Sequence, residues 1–136
     1  MDEFKLDRRL ESDSDPVMRT GLCELRLSKD ARWPWLILVP RRADITEVFE
    51  LTPLDQVMLT FETDMVASAL KKTTGATKIN IGALGNIVRQ LHVHVIARFD
   101  GDANWPNPVW GFGKAEPYVA DKREAFIETL REALSS

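Results

Sequence analysis

The sequence predicts a single α+β domain, and three observations carry that expectation. Thr20–Ser28 and Trp35–Val39 are short and apolar-patterned between turn residues, as strands are. From Pro53 to Thr74 apolar residues recur at helical spacing between a start signal and a stop signal. Gln90–Arg98 alternates polar and apolar side chains almost without a break, which is the period of a half-buried strand. Strands interrupted by one long helix and followed by another belong to the α+β class.

Composition narrows the function classes. A chain of 136 residues with 44% apolar content, 7 Gly and 7 Pro is neither disordered nor fibrous, and its length suits one domain spanning residues 1–136. A net charge of -3 argues against a general electrostatic grip on a nucleic-acid polymer or an anionic membrane. The single cysteine cannot close an intramolecular disulfide. The start, MDEFKLDRRLESDSD, is charged where a secretory leader is apolar, so a cytoplasmic location is expected.

Taken in order, residues 1–19 are polar with few apolar anchors (Phe4, Leu6, Leu10) and are expected to wrap the surface. In 20–28, Cys23, Leu25 and Leu27 alternate with Leu22, Glu24 and Arg26, predicting a half-buried strand. Trp35–Val39 is an unbroken apolar run between Pro34 and Pro40, the signature of a buried strand. Thr52 can cap the long helix, Pro53 suits its first position and Asp55 its first turn, and Lys71, Lys72 and Gly75 mark its end. Its Leu54, Met58, Phe61, Met65 and Ala69 stripe is expected to face the core. Thr77–Ile81 reads as a strand, IGALGN as a turn and Phe99–Pro117 as a loop rich in Trp, Pro, Asn and Gly. A final helix starts near Asp121 and Glu124 and aligns Phe126, Ile127, Leu130 and Leu134 on one face.

The only histidines of the chain are His92 and His94, so any histidine-dependent site in one copy must be built on this one segment. In a strand, Leu91, Val93 and Val95 would face the core while Gln90, His92 and His94 line the other side, about 7 Å apart. By itself the pattern allows three readings. It can be a solvated face, a metal site lacking its further ligands, for which Cys23 and scattered carboxylates show no ligand spacing, or a nucleophilic imidazole with its neighbours. The segment Asn80-Ile81-Gly82-Ala83-Leu84-Gly85-Asn86 favours the last, because glycines let backbone approach a ligand and exposed N–H groups of such turns attract anions.

Three stretches resemble the histidine triad (HIT) superfamily of nucleotide hydrolases and transferases. Leu36-Ile37-Leu38-Val39-Pro40-Arg41-Arg42 is similar to its strand ending in V/I-P-K/R. Asn80-x-Gly82 with Gly85-Asn86-x-Val88 is similar to its Asn-x-Gly and Gly-Gln-x-Val turn, and His92-Val93-His94-Val95-Ile96-Ala97-Arg98 to the second half of its H-φ-H-φ-H-φ-φ motif. The motif-bearing core covers about residues 20–98, leaving the Trp/Pro loop and last helix in 99–136. The resemblance implies a HIT-like fold: an antiparallel sheet of about five strands, a long helix at about 53–74 and a C-terminal helix. It also implies a homodimer.

Anchored on Val95-Ile96-Ala97-Arg98, the resemblance puts His92 at the nucleophile's position, His94 at the third and Gln90 where the first histidine stands. A backbone carbonyl at that first position orients the nucleophile in the family, and Gln90 still supplies one. Asn80, Gly85 and Asn86 are the implied substrate-binding positions, with Asp30 near that of a ribose-binding acid. Trp35 and Ala43 stand where other members carry histidines. The implied chemistry is double displacement at an α-phosphorus of a dinucleoside polyphosphate or nucleoside phosphoramidate. No cofactor is required, and a divalent metal would enter only with substrate phosphates. A nucleotide-binding module with little turnover is the alternative, and a zinc-dependent hydrolase using the H-x-H strand the third choice. The loop holding Trp105 and Trp110 lies outside the motif; it could cover a ligand, a dimer seam or the sheet's edge.

Overall fold

A computed structural model describes residues 3–135. Its elements are α1 (Arg8–Asp13), β1 (Ser14–Arg19), β2 (Cys23–Ser28), β3 (Trp35–Pro40), α2 (Pro53–Thr74), β4 (Lys78–Gly82), β5 (Val93–Arg98) and α3 (Ala120–Ser135). The strands form one antiparallel sheet in the order β1-β2-β3-β5-β4. The α+β class, the antiparallel five-stranded sheet and both long helices agree with the sequence.

One face of the sheet carries Leu25 and Leu27 of β2, Leu36 and Leu38 of β3, and Val93, Val95 and Ala97 of β5. Alternation puts these side chains on one side of the pleat, where Leu59, Val66 and Leu70 of α2 and Ile127 and Leu130 of α3 complete the core. The opposite face is covered too. Phe4, Leu6 and Leu10 pack on Ile37 and Val39, and the loop after β5 lays Val109 against Trp33 and Ile96. β2 is buried on both sides rather than half-buried because Ser14 and Glu11 also close over Arg26, which donates to Ser14 Oγ and to the Ser14 and Glu11 carbonyls.

The N-terminal segment corrects one expectation. Instead of wrapping the surface it supplies α1 and the edge strand β1, which is bulged between Pro16 and Met18. An edge strand tolerates Pro16 because its outer N–H groups have no ladder partner, and one inward Val17 suffices to anchor it.

The long helix has the expected caps: Thr52 Oγ1 accepts from Asp55 N at 3.2 Å, and Gly75, at φ 70°, donates to Lys71 O. Its core face is rotated from the expected one: Met58 packs against the core and Met65 and Ala69 are half-buried, but Leu54 and Phe61 face out. Leu54, Val57 and Phe61 are 71%, 66% and 63% exposed, while Leu59, Glu62, Val66 and Leu70 are buried. The helix has two apolar sides, and the core side contains a carboxylate: Glu62 accepts from Leu22 N at 2.8 Å and from the Thr20 hydroxyl. Apolar periodicity could not favour a face that buries a glutamate.

The last strand is also shorter than its alternation. β5 begins at Val93, so Gln90, Leu91 and His92 precede it. Val93 pairs with Leu38; continuing that register would set His92 against Val39 and then Leu91 against Pro40, which has no N–H to give. Leu91 N donates instead to Ile45 O at 2.9 Å.

Candidate active site

His92 and His94 lie on the sheet face away from α2, with ring centroids 4.8 Å apart. His94 is held within the strand, opposite Ile37 of β3 and Gly82 of β4. Both are buried, at 6% and 7% exposure.

Each imidazole has one nitrogen fixed by a partner that can play only one part. His92 Nδ1 lies 2.6 Å from Gln90 O. A carbonyl only accepts, so Nδ1 carries the proton and Nε2 the lone pair. His94 Nδ1 lies 2.9 Å from Trp35 Nε1. An indole N–H only donates, so here Nδ1 is bare and Nε2 carries the proton. The two rings hold opposite tautomers. Burial is the main reason the His94 pKa falls to about 4, with neighbouring His92 adding to it.

The walls around His94 are aromatic. Trp35 stands 5.6 Å away and Trp110 5.3 Å, centroid to centroid. Trp110 lies over Gly82, where a Cβ would sit 3.1 Å from the indole Cη2, so a glycine makes room for the ring. Trp110 Nε1 is buried without a hydrogen-bond partner among the described residues. Trp105 does not reach the histidines in the same way; its ring takes the Arg98 guanidinium at 5.4 Å.

A groove opens beside His92. Its inner end, about 50 Å³, is lined by His92, Gln90, Gly85, Arg89 and Glu47, and an adjoining cavity of about 280 Å³ adds Asn86. Gly85 adopts φ 72°, the left-handed conformation that the tight turn needs. A further cavity, about 580 Å³, is lined by Gln90, Lys5 and Ile45 and by neither histidine.

Two of the sequence-predicted residues, Asn80 and Asp30, sit elsewhere than in this groove, and a third, Gln90, lines it with its amide engaged elsewhere. The Gln90 side chain turns to the N-terminal segment, donating to Lys5 O and accepting from Asp7 N, both at 2.8 Å. Its carbonyl alone meets His92. Asn80 Oδ1 accepts from Arg98 Nη1 at 3.1 Å, in a cluster where Arg98 also pairs with Asp102. Asp30 binds Arg32 at 2.8 Å and accepts from Glu116 N, fastening the loop before α3. Burial opposes its charge, but the Arg32 guanidinium and two backbone amides outweigh burial and hold the carboxyl below its usual range. Sequence reasoning missed Arg89; it noted Trp35 only as a replaced histidine and Trp110 only as one of two loop tryptophans that could cover a ligand. Trp35 was visible only through the β3–β5 register, which sets it beside Ile96 on the His94 side.

A model of the HIT domain matches residues 9–101 of the chain. The chain belongs to the HIT family. Among solved structures, the HIT domain is similar to a histidine triad protein of Sinorhizobium meliloti 1021, with 68% identity, 96% of each chain covered and a TM-score of 0.94. It is also similar to a histidine triad protein of Bradyrhizobium japonicum, with 43% identity, 98% of this chain and 99% of that one covered and a TM-score of 0.96. An AP-4-A phosphorylase of Mycobacterium tuberculosis H37Rv is 32% identical over 94 residues, which are 65% of this chain and 48% of that protein. The HIT domain thus spans about half the length of the curated relatives it matches. Among the described residues no group of three or more His, Cys, Asp or Glu could hold a metal, and no helix is long and apolar enough to cross a membrane.

Proposed function

We propose that this HIT domain hydrolyses or transfers nucleotides at the α-phosphate through a nucleotidyl-histidine intermediate, with a dinucleoside polyphosphate or a nucleoside phosphoramidate as substrate. The observation that carries the reading is the 2.6 Å contact of His92 Nδ1 with Gln90 O, which leaves the Nε2 lone pair for the groove. Nε2 forms a bond to phosphorus as the bond to the leaving group breaks and takes its electron pair away. The positive charge that develops on the ring is met by the Gln90 carbonyl. Water then forms a bond to phosphorus, the P–N pair returns to Nε2 and a proton goes to solvent. The His94 Nε2–H, Asn86 and backbone N–H groups near Gly85 suit the phosphate oxygens as charge builds. The scheme uses no metal, and a divalent cation would enter only with substrate phosphates. The exposed Leu54, Val57 and Phe61 of α2 and the exposed Ile81 of the edge strand β4 suit pairing of two copies.

The test is mass spectrometry of the protein quenched during turnover of an adenylated substrate. An AMP adduct on His92, with kcat reduced by about 10³-fold or more in His92→Ala, is the expected result. Turnover that survives His92→Ala overturns the mechanism, and AMP binding with no turnover leaves a binding module.

A further inference from the structure

Trp35 meets the reactive pair through a single hydrogen bond, and the chemistry of that bond has a consequence for the leaving group. Indole donates and cannot accept. An imidazolium carries two N–H groups, so protonated His94 would set donor against donor at Trp35 Nε1, 2.9 Å away. It would also place a charge among Trp35, Trp110 and the ring of His92. Of the elements around His94, β3 presents Trp35, β4 presents Gly82 and the loop presents Trp110; His92 is the titratable ring that faces it. Losing the Nε2 proton instead would leave an imidazolate. His94 therefore offers a hydrogen bond but neither takes up nor gives away a proton. His92 has its one proton held by Gln90 O and its other nitrogen committed to phosphorus. Neither ring has a proton for the departing group.

We propose that Trp35 is a positioning residue that locks His94 as an Nε2–H donor and so restricts the site to leaving groups that depart as stable anions, a phosphate chain rather than an amine. This rests on the nucleotidyl-histidine reading. When the P–O bond to a phosphate chain breaks, the electron pair settles on oxygen and needs no proton. When a P–N bond breaks, the pair on nitrogen must be protonated, and the site supplies no donor from its histidines. Arg89 lines the groove at His92 and makes no hydrogen bond or ion pair with other described residues, leaving a cation for an anionic group. A guanidinium does not surrender a proton. Among the described residues Glu47 is the one carboxylate on that groove and is included in the test.

Two measurements decide it. Two-bond ¹⁵N–¹H correlation on the full chain should show His94 with a bare Nδ1 and a protonated Nε2, and His92 with the reverse. In Trp35→Phe, which keeps a ring and loses the N–H, His94 should average between tautomers. Protonated Nδ1 on His94 in the natural chain, or an unchanged fixed tautomer in Trp35→Phe, overturns the lock. In kinetics, kcat on diadenosine tetraphosphate should exceed kcat on adenosine 5′-phosphoramidate by about 100-fold, the usual contribution of a positioned acid. Trp35→His, whose imidazole can take and give a proton, should narrow that ratio by about tenfold. Equal kcat on both substrates, or phosphoramidate turnover lost selectively in Glu47→Gln, overturns the leaving-group restriction. Absence of any turnover or His92 adduct defeats the functional reading itself, and the tautomer spectrum still decides the lock.

Discussion

The two faces of the sheet are buried almost equally and are held by different forces. Toward α2 and α3, Leu25, Leu27, Leu36, Leu38 and Val95 meet other apolar side chains, and burial area does the work. On the other face, Arg26, His94 and Arg98 lie just as deep, and each survives there through polar partners, some close in the chain and some remote. Arg26 binds Ser14 Oγ and Ser14 O across the β1–β2 pair. Arg98 binds Asp102, Asn80 and Asn107 O, and His94 binds Trp35. The apolar face can lose a methyl group and relax; the polar face fails when one partner leaves, because the other is stranded without water.

The largest expected effect follows from that difference. Arg98 is 1% exposed and its Asp102 partner 9%. Arg98→Met should cost about 3–5 kcal/mol of stability by stranding the carboxylate. Urea denaturation measures it, and adding Asp102→Asn should recover part of the loss. A cost no larger than that of a surface substitution would erase the distinction between the faces.

Next comes pH. His94 titrates near 4 when folded and near 6.5 when unfolded, so between these values the unfolded chain binds more protons. Stability from this group is full above about 6.5 and falls as pH drops toward 4, by about 3 kcal/mol in all. Thermal melts of the natural chain and of His94→Gln across this range should diverge only in the former's acid-dependent loss.

The same contrast explains what could be read from residues alone. The strands of the apolar face and the caps of α2 were legible, because period-two alternation and Thr52-Pro53 or Gly75 act through neighbours in sequence. The histidine pair was legible as well, and the family motif gave its register. What was not legible depends on contacts between remote segments. β1 is an edge strand with polar residues because β2 and α3 lie beside it, and Gln90 left the expected polar row because Lys5 and Asp7 lie within reach of its amide. Trp35 looked like the loss of a histidine until the β3–β5 pairing brought its indole to His94.

Gln90 tests whether the substitution at the first triad position is structural. Its side chain makes two hydrogen bonds to the N-terminal segment, and its carbonyl alone meets His92. Gln90→Ala should therefore cost about 1 kcal/mol of stability, from bonds partly open to solvent. Its kcat should fall by far less than that of His92→Ala, because the carbonyl remains. Hydrogen exchange should show residues 3–7 loosening first. A kcat loss as large as that of His92→Ala would place the Gln90 amide in the chemistry.

The smallest effect on the single copy is expected where the apolar rule of the core face is broken, at Phe61. Here a large side chain faces outward beside Leu54 and Val57 while Glu62 next to it faces in. An exposed aromatic contributes little to folding of one copy, so Phe61→Glu should change the unfolding free energy at low concentration by about 0.5 kcal/mol or less. If two copies bury this stripe, the same change sets like charges against each other across the symmetric seam and should convert a dimer to a monomer in analytical ultracentrifugation. The outer side of α2 would then be a third buried face, read correctly as apolar by its periodicity and wrongly only in what covers it. A natural chain that sediments as a monomer at every concentration would make Phe61 an exposed side chain with no partner.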